Sequence, residues 1–373
     1  MSDGPRTVLV AGASGLVGQA ALRRFGTLAG WSAIGLSRRT PGPIPGATTY
    51  RVDLDDPGSC AELVAAVGAR VTHLVFAAQY EAPGMVSGWF DPDAIARNQR
   101  MLRNLVEPLL AAAPRLEHVS LLQGSKAYGI HHPEIAARVR TPLRERDPRL
   151  EHPNFYFEQE DYLRQQQLTG TWGLTVWRPT VVYGDAAGVN MNVLRPLAVY
   201  AALERERGER ALHYPGGSYE QPFQEAVDCD LLAEALAWSA TAPGARDRTF
   251  NLTNGDTFTW RHTWAAVAES FGMQPGEHRP MSLATDLPAR DAEWAAAVRK
   301  HGLDAPPSIE AHVGANSLLY ADWMLGGLEA VVAPFNSTIA VRQAGFHRCV
   351  DTEDMFRSWF ERMQRHGIVP AGT

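Results

Sequence analysis

The stretch from Thr7 to Gly18, TVLVAGASGLVG, decides the fold. Its first five residues are apolar or β-branched and predict a short buried strand, and a turn containing Gly12, Gly15 and Gly18 follows. Glycines allow a tight turn in which backbone amides approach a pyrophosphate, and the amino terminus of the next helix favours negative charge. A glycine-rich turn between a strand and a helix therefore predicts a dinucleotide-binding α/β domain.

The end of the second predicted strand indicates which dinucleotide is bound. NAD sites usually carry an acidic residue there, which binds the ribose 2′-hydroxyl. This chain has Ser37, Arg38 and Arg39 instead, and two guanidinium groups suit a 2′-phosphate. The predicted cofactor is therefore NADPH. Most of the expected cofactor contacts follow predicted strands; they are Gly12, Ser14, Gly15, Leu16, Val17, Gly18, Ser37, Arg38, Arg39, Asp53, Leu54, Ala77, Ala78, Gln123, Gly124, Tyr156, Pro179, Thr180, Val181 and Val182.

Strands and helices alternate through the first half of the chain. Strands are expected at residues 7–11, 32–36, 48–52, 71–77 and 118–122, and helices at 16–25, 59–67 and 91–112. After a long polar loop, a helix is expected at 154–168 and a strand at 174–177. This alternation predicts a Rossmann-type, doubly wound parallel sheet with helices on both faces.

The alternation weakens after Gly184, where helical segments dominate. They are expected at residues 193–207, 229–241, 260–271, 291–300 and 352–367. We therefore predict an NADP-binding Rossmann domain over residues 1–184 and, over residues 185–373, mostly a smaller, mainly helical lobe that binds the substrate. Some segments of this second part could return to the Rossmann domain.

Composition restricts the classes of partner. The net charge of −6 leaves no basic excess to neutralise phosphates, so we expect no nucleic-acid partner. Cys60, Cys229 and Cys349 form no C-x-x-C pair, which fits a reducing compartment. The pattern of a signal peptide and an apolar run of about 18 residues are both missing. We expect a cytoplasmic protein without a membrane partner, with a homodimer as a candidate assembly.

Hydride transfer to a carbonyl or enone builds negative charge on an oxygen, so a proton donor is expected beside the cofactor. In short-chain dehydrogenases this donor is a tyrosine with a lysine four residues later, and no tyrosine here has that lysine. The chain has only two lysines, Lys126 and Lys300. If Lys126 approaches Tyr156 in space, its ammonium lowers the pKa of the phenol and restores the pair from two segments. The alternatives are a surface lysine and a core tyrosine.

Further side chains near these two residues have expected roles. Tyr128 and Phe155 are candidate substrate contacts, and Trp260 and Trp323 are expected to supply apolar walls for a hydrophobic substrate. The acidic run Glu158, Glu160 and Asp161 is expected to stabilise the first turn of its helix.

The sequence predicts no metal site. It contains neither H-E-x-x-H nor G-x-S-x-G, and His131 and His132 have no partners at metal-ligand spacing. The histidine pair is therefore expected to be a solvated part of the loop.

The chain resembles the progesterone 5β-reductase/iridoid synthase-like enzymes, an atypical branch of the extended short-chain dehydrogenases. Residues 12–18 and 37–39 look like the cofactor motifs of that family, and residues 123–126, QGSK, are similar to its lysine motif. Residues 154–161, NFYFEQED, resemble its N-F-Y-Y-x-x-E-D motif, with Phe157 in place of the second tyrosine. The resemblance implies that Tyr156 and Lys126 act together as the catalytic pair, and that the reaction is NADPH-dependent 1,4-reduction of an activated alkene.

These observations lead to one hypothesis and three alternatives. The hypothesis is hydride transfer from NADPH to the β-carbon of a small hydrophobic enone or enal, with Tyr156 hydrogen-bonded to the carbonyl oxygen. One alternative is 1,2-reduction of a carbonyl. A second is a sugar-nucleotide epimerase or dehydratase on the same fold, which the missing lysine disfavours. The third is a non-catalytic NADPH sensor that regulates a partner.

Overall fold

The first half of the chain alternates strands and helices as predicted. The structure, a computed structural model, describes residues 5–84, 88–217, 223–326 and 335–372. Its first elements are β1 (Arg6–Ala11), α1 (Leu16–Gly26), β2 (Trp31–Ser37), β3 (Ala47–Arg51), α2 (Pro57–Val67), β4 (His73–Phe76), α3 (Pro92–Ala112), β5 (His118–Leu122), α4 (Pro133–Ala136), α5 (Phe155–Gln167), β6 (Gly173–Pro179) and β7 (Val181–Tyr183).

The second half is mainly helical but contains strands that the sequence pattern did not predict. Its elements are α6 (Leu194–Glu206), β8 (Ala211–Tyr214), β9 (Ala226–Asp228), α7 (Cys229–Ser239), β10 (Arg248–Leu252), α8 (Trp260–Ser270), β11 (Gln274–His278), α9 (Leu283–Asp286), α10 (Asp291–His301), α11 (Ile309–Val313), α12 (Ala315–Gly326), α13 (Ile339–Gln343) and α14 (Thr352–Arg365). The five predicted helices correspond to α6, α7, α8, α10 and α14.

A seven-stranded parallel sheet runs in the order β10-β6-β5-β4-β1-β2-β3. Strands β3 to β6 follow the order of dinucleotide-binding folds, and β10 extends the sheet beside β6 with Phe250 opposite Trp177. The predicted Rossmann-type fold is confirmed. Because β10 comes from the second half of the chain, that half contributes to the sheet as well as to the lobe.

Helices cover both faces of the sheet. On one face α1 packs against α7, where Leu22 and Phe25 lie in the same apolar cluster as Leu232 and Leu236. On the other face α3 packs against α2 and α5 around a second apolar cluster. This layering leaves the carboxyl ends of the strands free to form a crevice, which is where such sheets bind ligands.

A third apolar cluster lies mostly in the second half of the chain and also includes Ala20 of α1 and Tyr183 of β7. Trp260, Trp264 and Trp294 are fully buried there and pack with residues of α6 and α14. Among the described residues, no helix is both long and apolar enough to cross a lipid bilayer.

Candidate active site

A cavity of about 740 Å³ opens at the carboxyl ends of the sheet strands, with α12 of the lobe on its far side. All predicted cofactor residues line it except Gly18, and both Lys126 and Tyr156 line it too. The predicted substrate contact Phe155 and the predicted wall residue Trp323 also lie on its surface. The volume is in the range of small-molecule and cofactor sites.

The glycine turn forms a cradle that only glycine permits. Gly12 has a φ of +87°, and a Cβ there would lie 2.8 Å from the carbonyl carbon of Ala77. Gly18 faces away from the cavity, and a Cβ on it would overlap the Gly12 carbonyl, so Gly18 allows α1 to pack against the turn. The amides of the first turn of α1 have no acceptors within the helix. These features fit a pyrophosphate group.

Three arginines line one wall of the cavity. Arg38 and Arg39 are exposed there, and the Ser37 hydroxyl donates to the Arg39 carbonyl at 2.6 Å. Arg51, which the sequence analysis missed, ends β3 directly opposite Ser37 and lines the same cavity. No carboxylate in the described part of the chain lies within 4.0 Å of these three guanidinium groups. The wall is therefore a positively charged surface suited to a phosphate.

Tyr156 is held at the start of α5. The Asn154 side chain accepts from the Tyr156 amide at 3.0 Å and donates to the Lys126 carbonyl at 3.0 Å, so it joins the two segments. Tyr156 is buried, and a Cβ added to Gly124 would lie 3.4 Å from its hydroxyl oxygen. Burial and the nearby charge of Glu81 raise the pKa of Tyr156. The phenol is therefore neutral and can donate a hydrogen bond.

Lys126 forms a shielded ion pair rather than a pair with Tyr156. Its Nζ lies 3.6 Å from the Glu81 carboxylate and 4.0 Å from the centre of the Trp89 ring. Burial lowers the pKa of Lys126, and Glu81 partly opposes that effect. The pKa of Tyr156 is not lowered, as expected for a nearby Lys126, but raised, because burial and the negative charge of Glu81 disfavour the phenolate.

Glu81 is a cavity residue that sequence reasoning missed. It follows β4 in an irregular segment, where no spacing marks it. Its side chain is 4% exposed and accepts hydrogen bonds from the Trp89 indole at 3.1 Å and from the Gln79 amide. Burial raises the pKa of Glu81, and Lys126 opposes that effect. Tyr320 of α12 also lines the cavity, and burial and Glu81 raise its pKa as well.

A buried polar network fixes the backbone beneath Tyr156. The Gln123 amide donates to the Tyr156 carbonyl and to the Glu160 carboxylate, each at 3.0 Å, and Arg178 donates to Gln123 at 2.9 Å. The prediction that Glu160 merely adds charge to a first helical turn was therefore wrong. Glu160 is a buried acceptor that anchors Gln123 and Arg178.

Two predicted substrate contacts lie outside the cavity. The Tyr128 hydroxyl donates to the Asn251 side chain of β10 at 2.7 Å, so Tyr128 fastens its loop to the edge of the sheet. Trp260 is fully buried in the core of the lobe, and its indole donates to the Met324 carbonyl at 3.2 Å. Trp260 therefore forms no wall of the cavity, and Tyr128 has a structural partner on the interior side.

His131 and His132 have no partner at metal-ligand spacing in the sequence, but the structure places a third histidine beside them. His152, which lies twenty-one and twenty residues further along the chain, packs against both rings. Centroid distances are 4.4 Å between His131 and His132, 5.5 Å between His131 and His152, and 4.8 Å between His132 and His152. These three residues are called the histidine cluster below.

The sequence profile of the PRISE-like Rossmann-fold domain matches residues 51–370. The chain belongs to this family. The resemblance to progesterone 5β-reductase and iridoid synthase-like enzymes is thereby confirmed.

Curated relatives of this PRISE-like protein share about the same degree of identity. A (S)-8-oxocitronellyl enol synthase of Camptotheca acuminata is 30% identical, over 99% of this chain and 95% of the relative. A 3-oxo-Δ4,5-steroid 5β-reductase of Arabidopsis thaliana is 32% identical, over 73% of this chain and 70% of the relative. A short chain dehydrogenase of Penicillium aethiopicum is 28% identical, over 98% of this chain and all of the relative. The PRISE-like protein is an oxidoreductase of the extended short-chain dehydrogenase type.

Solved structures support the fold. The UDP-glucose 4-epimerase of Thermotoga maritima has a TM-score of 0.65 at 14% identity, covering 96% of this chain and 99% of that one. The UDP-glucose 4-epimerase of Bifidobacterium longum, in complex with NAD+ and UDP, has a TM-score of 0.64 at 14% identity, covering 96% and 98%. At this identity the likeness concerns the fold alone.

Proposed function

We propose that this PRISE-like protein uses NADPH to reduce the C=C bond of an α,β-unsaturated carbonyl compound. The observation that carries the proposal is that Tyr156 and Lys126 line the same cavity as the glycine turn and the arginine wall. A steroid 5β-reductase among the relatives supports the reaction class. In this reaction NADPH would supply one hydride to the β-carbon and become NADP+, and solvent water would supply one proton to the α-carbon.

NADPH, when bound, supplies the hydride. The Gly12 cradle and the first turn of α1 are suited to its pyrophosphate, and Arg38, Arg39 and Arg51 are suited to its 2′-phosphate. The NAD+ in the Bifidobacterium longum enzyme supports a nicotinamide cofactor in this fold. We expect the protein to prefer NADPH to NADH, and steady-state rates with each cofactor test this.

Tyr156 would act as the hydrogen-bond donor to the substrate oxygen. Because the phenol is neutral, its proton is available to the carbonyl oxygen as that oxygen gains negative charge. A preorganised donor of this kind contributes roughly 3–4 kcal/mol to lowering the barrier. Lys126 would add positive charge near the same oxygen, and Glu81 would hold the ammonium in place.

Aromatic side chains indicate the substrate class. Trp89, Phe155 and Trp323 line the cavity, and the rings of Trp89 and Trp323 contact each other edge to face at 5.8 Å. The names of the relatives point to an oxocitronellyl compound and a 3-oxo-steroid, both apolar carbonyl compounds. The proposed substrate is a small hydrophobic enone or enal.

We also propose a domain division, a cellular compartment and an assembly for this chain. The reaction takes place between the Rossmann part, residues 1–184, and the lobe, mostly residues 185–373, with β10 returning to the sheet. The sparse cysteines favour a reducing compartment such as the cytoplasm. A homodimer is the candidate assembly, and light scattering of the purified chain measures it.

The test follows NADPH oxidation with a panel of cyclic and acyclic enones. Tyr156→Phe should lower kcat by about 10²–10³-fold, as loss of an oxyanion donor does. Tyr128→Phe is the matched control, since Tyr128 lies outside the cavity. Lys126→Met should also lower kcat, whereas Lys300→Met, at the exposed second lysine, should not.

Product analysis separates the proposal from its alternative. A saturated ketone or aldehyde indicates 1,4-reduction, and an allylic alcohol indicates 1,2-reduction. Full activity of Tyr156→Phe contradicts the role of the phenol. Absence of turnover across the panel contradicts the reaction class.

A further inference from the structure

The histidine cluster lies beside the cavity, and the proposed reaction does not use it. One ring nitrogen from each of His131, His132 and His152 lies within 4.8 Å of the others. His131 and His132 follow the short helical turn that carries Lys126, and His152 lies two residues before Asn154, the cap of the helix that carries Tyr156. The Phe90 ring packs against His131 and His132, with centroid distances of 5.7 Å and 4.6 Å, respectively.

Two nitrogens of the cluster lack hydrogen-bond partners. His131 Nδ1 and His132 Nε2 are shielded from solvent and have no partner among the described residues. Buried polar atoms in proteins are nearly always paired, so two unpaired nitrogens in one cluster call for a ligand. A metal ion could pair with both nitrogens, because it accepts a lone pair from each.

The second ring nitrogen of His152 has a partner typical of metal-binding histidines. His152 Nδ1 lies 2.7 Å from the Leu150 carbonyl, so this nitrogen carries the proton and Nε2 keeps its lone pair. Metal-binding histidines usually donate their second nitrogen to such an acceptor, which fixes the ring.

We propose that His131, His132 and His152 form a binding site for a divalent transition-metal ion such as Zn²⁺. Three nitrogen ligands suit Zn²⁺, Co²⁺ or Ni²⁺ and disfavour Mg²⁺ and Ca²⁺, which take oxygen ligands. A water molecule would complete a four-coordinate shell.

Binding requires small side-chain rotations. Zn–N bonds of about 2.0–2.1 Å place tetrahedral ligands roughly 3.4 Å apart, so the rings must approach one another. His152 Nε2 accepts from the Asn154 amide at 3.2 Å, and the ion replaces this contact. Asn154 keeps its bond to the Lys126 carbonyl.

The site would join the two segments that carry the catalytic pair. His131 and His132 belong to the Lys126 segment, and His152 belongs to the segment that leads into Tyr156. None of the three histidines lines the cavity, so the ion would stabilise the site without contacting the substrate. Ions that bind only the folded state raise its stability.

The experiment uses the full chain without a histidine tag, freed of metal by a chelator. Calorimetric titration with Zn²⁺ should give one ion per chain, and Zn²⁺ should raise Tm. Co²⁺ should give the visible absorption of a nitrogen-coordinated ion, and Mg²⁺ should not bind. His131→Ala, His132→Ala and His152→Ala should each weaken Zn²⁺ binding at least about tenfold, because even lost partners of ligands cost that much.

The control is His262→Ala, at an exposed histidine of α8, which should bind Zn²⁺ as the wild type does. Where an alanine variant unfolds, His132→Gln and His152→Gln replace it, since glutamine keeps the size and polarity of the side chain. Absence of stoichiometric binding overturns the proposal, and so does binding that all three substitutions leave unchanged.

Discussion

The ion pair of Glu81 and Lys126 makes the proposed activity depend on pH. Glu81 raises the pKa of Lys126 against the effect of burial, and it also raises the pKa of Tyr156. Glu81→Gln therefore lowers both pKa values, so that Lys126 loses its charge and Tyr156 its proton at lower pH. We expect the alkaline limb of the kcat/KM profile to move to lower pH in this variant, as measured by NADPH oxidation.

The matched control for that change is Glu158→Gln. Glu158 is exposed on α5 and lies outside the cavity. Its substitution should leave the profile unchanged. An unshifted alkaline limb in Glu81→Gln contradicts the positioning role of Glu81, whereas a changed KM for NADPH alone indicates a role in cofactor binding.

At the level of elements, Asn154 has two separable functions. Its side chain caps α5 and donates to the Lys126 carbonyl. Asn154→Ala should cost about 1 kcal/mol of unfolding free energy, as the loss of an N-cap does, and should also lower kcat. Asn154→Asp should keep most of the stability, because aspartate caps helices well, but it cannot donate to the carbonyl and should still lower kcat.

Urea unfolding and steady-state kinetics on the same preparations measure the two effects. Asp351→Ala removes the cap of α14, far from the cavity, and should lower stability without lowering kcat. Wild-type kcat in Asn154→Asp would show that the link from Asn154 to Lys126 is dispensable.

Four strands of the central sheet could be predicted from the sequence alone. Strands β1, β2, β4 and β5 are apolar runs bounded by turn residues, so their bounds were predicted within two residues. Strand β11 contains Pro275 and Gly276, which disfavour strands, and it forms only because the lobe packs it beside β8. Strand β10 has few apolar residues and lies at the sheet edge, so its place beside β6 is a tertiary effect.

At the scale of the whole molecule, the local motifs of the site could be predicted from the sequence, whereas contacts between distant segments could not. The glycine turn and the Ser37–Arg39 segment are local motifs, and they could be recognised from spacing. Glu81 reaches Lys126 from 45 residues away, and His152 reaches His132 from 20 residues away. Local sequence patterns do not indicate such contacts, because they form only when the loops at the strand ends pack together.

Two buried histidines link the stability of the whole fold to pH. His73 of β4 and His118 of β5 are opposite each other in the central sheet, with ring centroids 6.3 Å apart. Burial lowers the pKa of His73 to about 4 and that of His118 to about 3. Since unfolded histidine titrates near 6.5, the unfolded chain binds more protons below that pH. The stability present above pH 6.5 is therefore lost as the pH falls toward 4.

Substitution of either histidine should reduce this loss of stability at low pH. Each group contributes up to about 1.4 kcal/mol per pH unit between its unfolded and folded pKa values. His73→Gln and His118→Gln should therefore show a smaller decrease in unfolding free energy between pH 6.5 and pH 4 than the wild type, measured by urea unfolding at each pH. His262→Gln, at an exposed histidine, should keep the wild-type slope. A wild-type slope in both buried-site variants would mean that other groups cause the acid sensitivity, because these two rings would then contribute no difference in proton binding.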